Sequence, residues 1–194
     1  MNQNEKDEVK SKNSNKVAKV ANIIVDIAIG VMGVYLVGML SGFWFLNYTK
    51  GVSMKPNMNN GELSLSTNYK VGKSNIHRGE VVVVDRGEEL WVKRVIGVPG
   101  DEINIVDGDV YLNQKLIDET KYAVGTSEIV YMGDGNISFP YRLNEKEYFV
   151  MGDNRVESYD SRYVGAIKEE NIKGKVRFVF SFKPRVLKSE IELD

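Results

Sequence analysis

The chain has 194 residues, with 26 Lys and Arg against 27 Asp and Glu, so its net charge is -1 at pH 7. This balance excludes the broad basic surface that nucleic-acid binding requires, and we expect no nucleic-acid partner. The sequence contains no cysteine and a single histidine, His77, which excludes disulfides, thiol nucleophiles and zinc sites built from Cys or several His. We therefore expect neither a metal nor a cofactor.

The first predicted element is a membrane-spanning helix. Residues 27–46 form a run of 20 residues without a charge, and the apolar character reaches back to about Val20. Twenty helical residues span about 30 Å, the thickness of the hydrocarbon core of a bilayer. The run is longer than the apolar part of a cleavable signal peptide and ends in bulky aromatic residues. We therefore predict an uncleaved anchor over 20–46 and prefer it to a buried helix of a soluble domain.

The flanks of this segment predict its orientation. Five lysines lie in residues 1–19, whereas the stretch that follows the anchor carries only Lys50 and Lys55. The positive-inside rule places the amino terminus in the cytoplasm and everything from about residue 47 on the extracytoplasmic face of the cell membrane, after a single pass. We expect the polar tail 1–19 to be disordered and the aromatic residues 43–45 to mark the outer interface.

The remaining chain, residues 47–194, has a pattern typical of strands rather than helices. The β-branched run 81–84 and the extended run 90–98 each predict a strand. The run 176–182 alternates, which predicts that Val176 and the phenylalanines at 178, 180 and 182 share one side of a third strand. The fold class we expect is mainly β, an antiparallel and barrel-like sheet preceded by one transmembrane helix.

Two Asp-Gly pairs predict hairpin turns, one at Asp107-Gly108 and one at Asp134-Gly135. Both lie in a stretch with a thinner apolar pattern and a higher polar content than the flanking strands. We therefore expect residues 103–148 to form a smaller β subdomain inserted into the main sheet.

The segment 51–62, GVSMKPNMNNGE, contains the first candidate catalytic residue, Ser53. Gly51 and Pro56 bracket this serine, which follows the predicted anchor by only a few residues. A serine in a loop is most often a solvated turn residue, so by itself the segment leaves both interpretations open.

The segment 91–103, WVKRVIGVPGDEI, contains the second candidate, Lys93. In a strand, side chains alternate, so Lys93 shares a face with Trp91 and Val95. Burial beside such neighbours disfavours the ammonium form and lowers the lysine pKa, as a general base near neutral pH requires. The alternative is a lysine whose amine reaches solvent from an exposed strand.

The segment 151–165, MGDNRVESYDSRYVG, combines turn residues with charges of alternating sign. Paired Asp and Arg side chains can rigidify a loop and brace a neighbouring active site. A solvated charged turn is the alternative interpretation of the segment in isolation.

Taken together, these segments resemble the type I signal peptidases, membrane-anchored serine proteases that remove signal peptides from exported proteins. The first box of that family, G-x-S-M-x-P-T-L-x-x-G-D, is similar to residues 51–62, and its R-G-D/E box with a valine-rich strand is similar to 78–85. The lysine box is matched by 92–103, and the last box, G-D-N-R-x-x-S-x-D-S-R-x-x-G, by 152–165. A single anchor and a short insertion resemble the compact Gram-positive form.

The resemblance implies a role for each matched residue. It implies that Ser53 is the nucleophile, that Lys93 is the general base and that Ser158 hydrogen-bonds and orients the lysine amine. The bracing ion pairs would be formed by Asp153, Arg155, Asp160 and Arg162. The substrate-binding residues would be Gly51, Val52, Met54, Trp91 and Val95. The expected substrates are preproteins with small residues one and three positions before the cleaved bond.

Within the first box the sequence differs from many or some members of the family in three respects. Asn57 and Met58 stand where the family usually has Thr and Leu, and we expect altered packing there rather than lost catalysis. Gly51 lacks the hydroxyl with which some members complete the oxyanion hole, which leaves the second donor unidentified. Two other functions remain open, a soluble self-cleaving Ser-Lys protease and a non-catalytic assembly factor for surface proteins. The anchor argues against the first, and the retention of Ser53 and Lys93 argues against the second.

Overall fold

The structure, a computed structural model, describes residues 3–72, 75–127, 137–181 and 186. The chain divides into two compact units, residues 1–42 and residues 43–194. The first unit is helical, and the regular elements described in the second are mostly antiparallel strands. The predicted fold class, mainly β after one amino-terminal apolar helix, is confirmed.

The first unit is one long helix, α1 (Gln3–Leu40). Its segment Asn15–Leu40 has a mean hydropathy of 2.3 and is the one helix in the described ranges that is long and apolar enough to cross a bilayer. Only 6% of the apolar stretch of this helix is buried within the protein. Its side chains therefore need an apolar environment from outside the chain. This finding indicates a membrane-anchored protein.

The start of α1 differs from the prediction for the tail. The stretch 1–19, predicted to be disordered, is helical from Gln3 onward. It contains no Gly or Pro, and it runs directly into the apolar helix. Because extension of an existing helix requires no new nucleation, these polar residues can continue it.

The end of α1 also differs, because the helix stops at Leu40 rather than at residue 46. Gly42 adopts a left-handed φ of 69° and donates its N–H to the carbonyl of Met39 at 3.0 Å, a helix-ending conformation that glycine adopts without steric cost. Of the aromatic residues after it, Trp44 and Phe45 lie in a strand instead.

The second unit contains eleven strands within the described residues, arranged in two sheets. In chain order they are β1 (Trp44–Tyr48), β2 (Leu63–Asn68), β3 (Val81–Asp85), β4 (Leu90–Gly97), β5 (Glu102–Val106), β6 (Asp109–Leu112), β7 (Lys115–Leu116), β8 (Tyr141–Arg142), β9 (Glu147–Met151), β10 (Ile167–Lys168) and β11 (Ile172–Phe180). Two single-turn helices, α2 (Tyr69–Gly72) and α3 (Ser161–Val164), and a 3-10 turn, Glu169–Asn171, connect them.

The main sheet has the strand order β1-β2-β11-β3-β4-β9-β10, with antiparallel pairing throughout. The predicted strands 81–84 and 90–98 are confirmed as β3 and β4, which pair so that Val82 lies opposite Lys93. All four valines of β3 are buried, as their β-branched run predicted.

A second sheet, with the order β7-β6-β5-β8, lies within the stretch where the sequence predicts an inserted subdomain. Its β5–β6 hairpin turns at Asp107 and Gly108, whose φ values are 50° and 85°. Two successive positive φ values characterise the tight hairpin turn that Asp-Gly favours, so this predicted turn is confirmed. The turn predicted at 134–135 lies outside the described residues.

Strand β11 begins earlier than predicted, and its side chains do not alternate simply. A β-bulge between Val176 and Phe178 shifts the register against β2. Val176 and Val179 are both buried as a result, whereas Phe178 is half-buried and Phe180 is exposed. The prediction that Val176 shares a side with Phe178 and Phe180 is therefore wrong, because a bulge reverses the alternation that follows it. Phe182, the last residue of the predicted set, lies outside the described residues.

Among its described residues, the apolar interior of the second unit forms three clusters. Two lie on opposite faces of the β3–β4 pair, with Val82 and Val84 in one and Val81 and Val83 in the other. The third joins the second sheet to β9. These clusters make β4 a rigid element, fixed on both faces.

Candidate active site

Ser53 lies in a loop between β1 and β2 whose two ends are joined by backbone hydrogen bonds. Thr49 donates to the carbonyl of Glu62, and Gly61 donates to the carbonyl of Thr49, both at 2.9 Å. Met54 and Met58, exposed by 1% and 0%, anchor the loop in one of the hydrophobic clusters. A loop closed at its base and anchored in this way holds the serine in one position.

Lys93 lies on β4, on the face that also carries Trp91 and Val95, as the strand alternation predicted. Its Nζ donates a hydrogen bond to the Oγ of Ser53 at 2.8 Å. The lysine is only 4% exposed, and its Nζ lies 5.8 Å from the centroid of the Trp91 ring. Two residues separated by 40 positions in the chain thus form one polar pair.

Burial lowers the pKa of the Lys93 amine from its ordinary 10.5 to about 8. The carboxylates of Asp160 and Asp153 oppose this shift because they favour the ammonium, whereas the charge of Arg162 favours the neutral amine. Desolvation is the largest effect. A substantial neutral fraction is therefore available near neutral pH, as a base requires.

The segment after β9 is hydrogen-bonded to the backbone of the loop that carries Ser53. The N–H of Asn154 donates to the carbonyl of Ser53 at 2.9 Å, and the Asn154 side chain donates to the carbonyl of Val52 at 3.3 Å. Gly152 is required there, because a Cβ at that position would overlap the Ser53 carbonyl and the Ser158 side chain. The 152–154 backbone and the nucleophile loop are thus in direct contact.

Asp153 and Arg94 form a buried, two-pronged ion pair. The two guanidinium nitrogens of Arg94 donate to the two oxygens of Asp153 at 2.8 and 2.7 Å, and the aspartate is fully buried. Such a bidentate pair fixes orientation as well as distance. Since Arg94 follows Lys93 directly, the pair ties the 152–154 segment to the strand that carries the lysine.

A second buried ion pair joins Asp160 to Arg162 within the same segment. The guanidinium nitrogens of Arg162 donate to both Asp160 oxygens at 2.9 Å. Burial alone would raise the pKa of the Asp160 carboxyl, but hydrogen bonds from Arg162, Ser158 and the Gly152 N–H hold it below its ordinary value. This carboxylate therefore stays charged and organises the turn around it.

Ser158 lies beside Ser53 but forms a different hydrogen bond from the expected one. Its hydroxyl donates to Asp160 at 2.6 Å. The resemblance implied a hydrogen bond with Lys93, whereas within the described residues the amine of Lys93 bonds only to Ser53. The acidic partner at 160 takes the single hydroxyl proton, since a carboxylate is the stronger acceptor.

All four predicted bracing residues form ion pairs, two of them with partners outside their own segment. Only Asp160 and Arg162 pair within the predicted set, whereas Asp153 pairs with Arg94 and Arg155 pairs with Glu119 at 2.6 Å. Each charge pairs with the opposite charge that the fold brings close, which lies within the segment for Asp160 and outside it for Asp153 and Arg155.

Glu119, on the connection after β7, shows a strong effect of burial. Desolvation raises the pKa of its carboxyl, although the guanidinium of Arg155 opposes the shift. Nothing in the sequence around Glu119 distinguishes it from other surface glutamates. Arg94 could have been found, because a buried strand position that carries an arginine requires a carboxylate partner.

The predicted substrate-binding residues fall into two groups. Gly51 is exposed, and Val52 and Trp91 are half-buried. Met54 and Val95 are 1% and 0% exposed and belong to hydrophobic clusters, so they form the floor beneath the loop and strand rather than a free surface. Burial thus removes these two residues from the set available to a peptide in this structure.

The arrangement has the chemistry of a hydrolase that uses a serine. A hydroxyl lies within hydrogen-bond distance of a buried amine of lowered pKa, and ion pairs hold both groups in place. His77 is exposed, and its backbone N–H bonds to Glu80, so the histidine stands apart from this chemistry. A base other than imidazole can activate a serine in this way.

Comparison with known proteins gives the family. The family described as Signal peptidase, peptidase S26, matches residues 22–181. Signal peptidase I of Bacillus licheniformis is 35% identical over 159 residues, which cover 77% of this chain and 84% of that protein. Signal peptidase I S of Bacillus subtilis (strain 168) is 32% identical over 175 residues, covering 86% and 94%. Signal peptidase IB of Staphylococcus aureus (strain N315) is 35% identical over 173 residues, covering 81% and 87%.

The chain therefore belongs to the signal peptidase family, peptidase S26. It is an enzyme of the serine protease type, a hydrolase. The resemblance predicted from the four sequence boxes is confirmed at the level of the family.

Proposed function

We propose that this protein cleaves signal peptides from exported preproteins, with Ser53 as the nucleophile and Lys93 as its general base. The observation that carries the proposal is the 2.8 Å hydrogen bond between the buried Lys93 amine and the Ser53 hydroxyl. Family membership supports the reaction, since the relatives are signal peptidases by name.

The proposed steps follow from this pair. Neutral Lys93 takes the proton of the Ser53 hydroxyl. At the same time the Ser53 oxygen attacks the carbonyl carbon of the substrate residue before the scissile bond. The lysine then gives that proton to the departing amine, which leaves an acyl-enzyme. A water molecule, deprotonated by the same lysine, hydrolyses the ester and restores the serine.

The negative oxygen that forms during attack needs donors. Within the described residues the N–H of Ser53 has no hydrogen-bond acceptor, so it is available for this purpose. The N–H of Gly51 donates to Oδ1 of Asn60 at 2.9 Å and is therefore engaged. We assign the first donor to Ser53 and leave the second donor open.

The main sheet offers an edge on which a substrate strand can bind. Strand β4 pairs with β3 over residues 90–94 but with β9 only over residues 94–97. No other described strand pairs with the second edge of residues 90–93, a stretch that ends at Lys93. An extended peptide added there would gain backbone hydrogen bonds, and its alternate side chains, at positions -1 and -3, would face the protein together.

The apolar helix α1 supports a membrane location for this chemistry. We propose that α1 crosses the cell membrane once with the lysine-rich terminus in the cytoplasm, because the lysine asymmetry of its flanks favours that orientation. The catalytic unit would then lie on the extracytoplasmic face, in the lipid environment where signal peptides emerge.

The proposal is tested with the full-length protein in detergent and one purified preprotein. Ser53→Ala and Lys93→Ala should each abolish cleavage, and the double variant should be no worse than either single variant, because the two groups act as one unit. His77→Ala is the matched control and should retain activity. Full activity of Lys93→Ala would refute the assignment, and failure of the unaltered protein to cleave would favour a non-catalytic assembly role.

A further inference from the structure

The side chain of Asn57 contacts two elements that differ from its own loop. Its Nδ2 lies 2.8 Å from Oδ2 of Asp153 and 2.6 Å from the carbonyl oxygen of Tyr122. One acceptor belongs to the buried ion pair with Arg94, and the other belongs to the connection between β7 and β8. Asn57 therefore joins three separate segments of the chain four residues after the nucleophile.

The Tyr122 connection is itself held against the active-site segment. Val124 donates to the carbonyl of Asp153 at 2.8 Å, and Arg155 donates to the carbonyl of Val124 at 2.9 Å. The guanidinium of Arg94 lies over the Tyr122 ring, 4.7 Å from its centroid. The acceptor that Asn57 reaches is thus a fixed point rather than a loose loop.

An amide meets the requirements of this position better than a hydroxyl does. The Asn57 Nδ2 carries two hydrogens and donates to both acceptors at once. A threonine hydroxyl, which is the usual group at this position in the family pattern, carries one hydrogen and can satisfy only one acceptor. The difference between Asn and Thr is therefore one of hydrogen bonding, and the earlier expectation of altered packing alone is incomplete.

We infer that Asn57 is a positioning residue for the Ser53–Lys93 pair, acting by fixing the nucleophile loop to Asp153 and to the Tyr122 connection. Asp153 also bonds to Arg94, the neighbour of Lys93 on β4. The same buried carboxylate therefore holds the loop that carries Ser53 and the strand that carries Lys93. This inference rests on the proposed function. Loss of the bridge should displace Ser53 relative to the lysine rather than weaken substrate binding.

The test compares three variants by steady-state and single-turnover cleavage of one preprotein, using the full-length protein. Asn57→Ala removes both donors and should lower kcat about tenfold or more, with KM within about twofold, since small displacements of reacting groups have large effects on the chemical step. Asn57→Thr restores one donor and should give an intermediate kcat. Asn59→Ala is the control, because Asn59 lies in the same loop, is exposed, and bonds only to Glu62 in the described chain.

Measuring kcat at several temperatures distinguishes the positioning role of Asn57 from a role in stability alone. The kcat deficit of Asn57→Ala should persist far below its unfolding temperature, whereas a deficit that vanishes on cooling would overturn the inference. A raised KM with unchanged kcat, or an equal loss in Asn59→Ala, would also overturn it. If the unaltered protein fails to cleave, or Ser53→Ala cleaves as well, it is the proposed function that fails.

Discussion

Removal of the Trp91 indole should move the acid limb of the pH–rate profile to higher pH. The indole lies on the same face of β4 as Lys93, with its ring centroid 5.8 Å from the amine, and the lysine is 4% exposed. Trp91→Ala would admit water to the amine, which stabilises the ammonium and raises the pKa.

The size of the effect follows from the shift that burial produces. The pKa of Lys93 falls from 10.5 to about 8, and this difference corresponds to about 3 kcal/mol in favour of the neutral amine. At pH 7 about one molecule in ten then carries a neutral Lys93, against about one in three thousand for an ordinary lysine. If Trp91→Ala reverses the shift by about one unit, the rate at pH 7 falls about tenfold and the rate near pH 10 changes little.

The assay is kcat/KM for preprotein cleavage between pH 6 and pH 10, since this parameter reports the ionisation of the free enzyme. We expect the unaltered protein to lose activity as the pH falls through about 8. Trp91→Phe, which keeps an apolar ring beside Lys93, is the matched control and should move the limb less. An equal loss of rate at every pH would show that the indole acts on the substrate, and the desolvation argument would then be refuted.

Three further predictions concern stability, substrate specificity and membrane topology. Lys93→Met should raise the free energy of unfolding by about 2 to 3 kcal/mol at pH 7, measured with urea, because the folded lysine has the lower pKa. In the unaltered protein stability should increase as the pH rises from about 8 to 10.5, so the advantage of the variant should disappear there. Replacement of Ala by Leu at substrate position -1 or -3 should reduce cleavage at least about tenfold, and the same change at -2 should be tolerated; equal sensitivity at -2 would exclude an extended substrate. Protease added to spheroplasts should degrade the chain beyond α1 and spare its first residues, whereas a protected catalytic unit would contradict the proposed orientation.

Local features of the active site could be predicted from the sequence because each depends on near neighbours. The alternation of Trp91, Lys93 and Val95 follows from the geometry of any strand, and the Asp107-Gly108 turn follows from the backbone freedom of its residues. The same holds for the anchor, whose apolar length alone indicates a span. Ser53 and Lys93 could be proposed as nucleophile and base from the boxes that resemble the family.

The pairing of distant groups was decided by tertiary structure. Ser53 and Lys93 meet because their loop and strand are brought together across 40 positions, and no local pattern measures that distance. Asp153 pairs with Arg94 rather than with a charge in its own segment, and Ser158 donates to Asp160 rather than to the lysine.

Contacts with other segments also decided where the helix and strands end and which of their side chains are buried. The apolar run continues past Leu40, but Gly42 ends the helix, and residues 44–48 pair with β2 instead. In β11 a bulge changes which side chains are buried, although the sequence there alternates regularly. A sequence pattern thus specifies what each segment favours by itself, whereas hydrogen-bond partners, burial and pKa depend on which segments the fold places in contact.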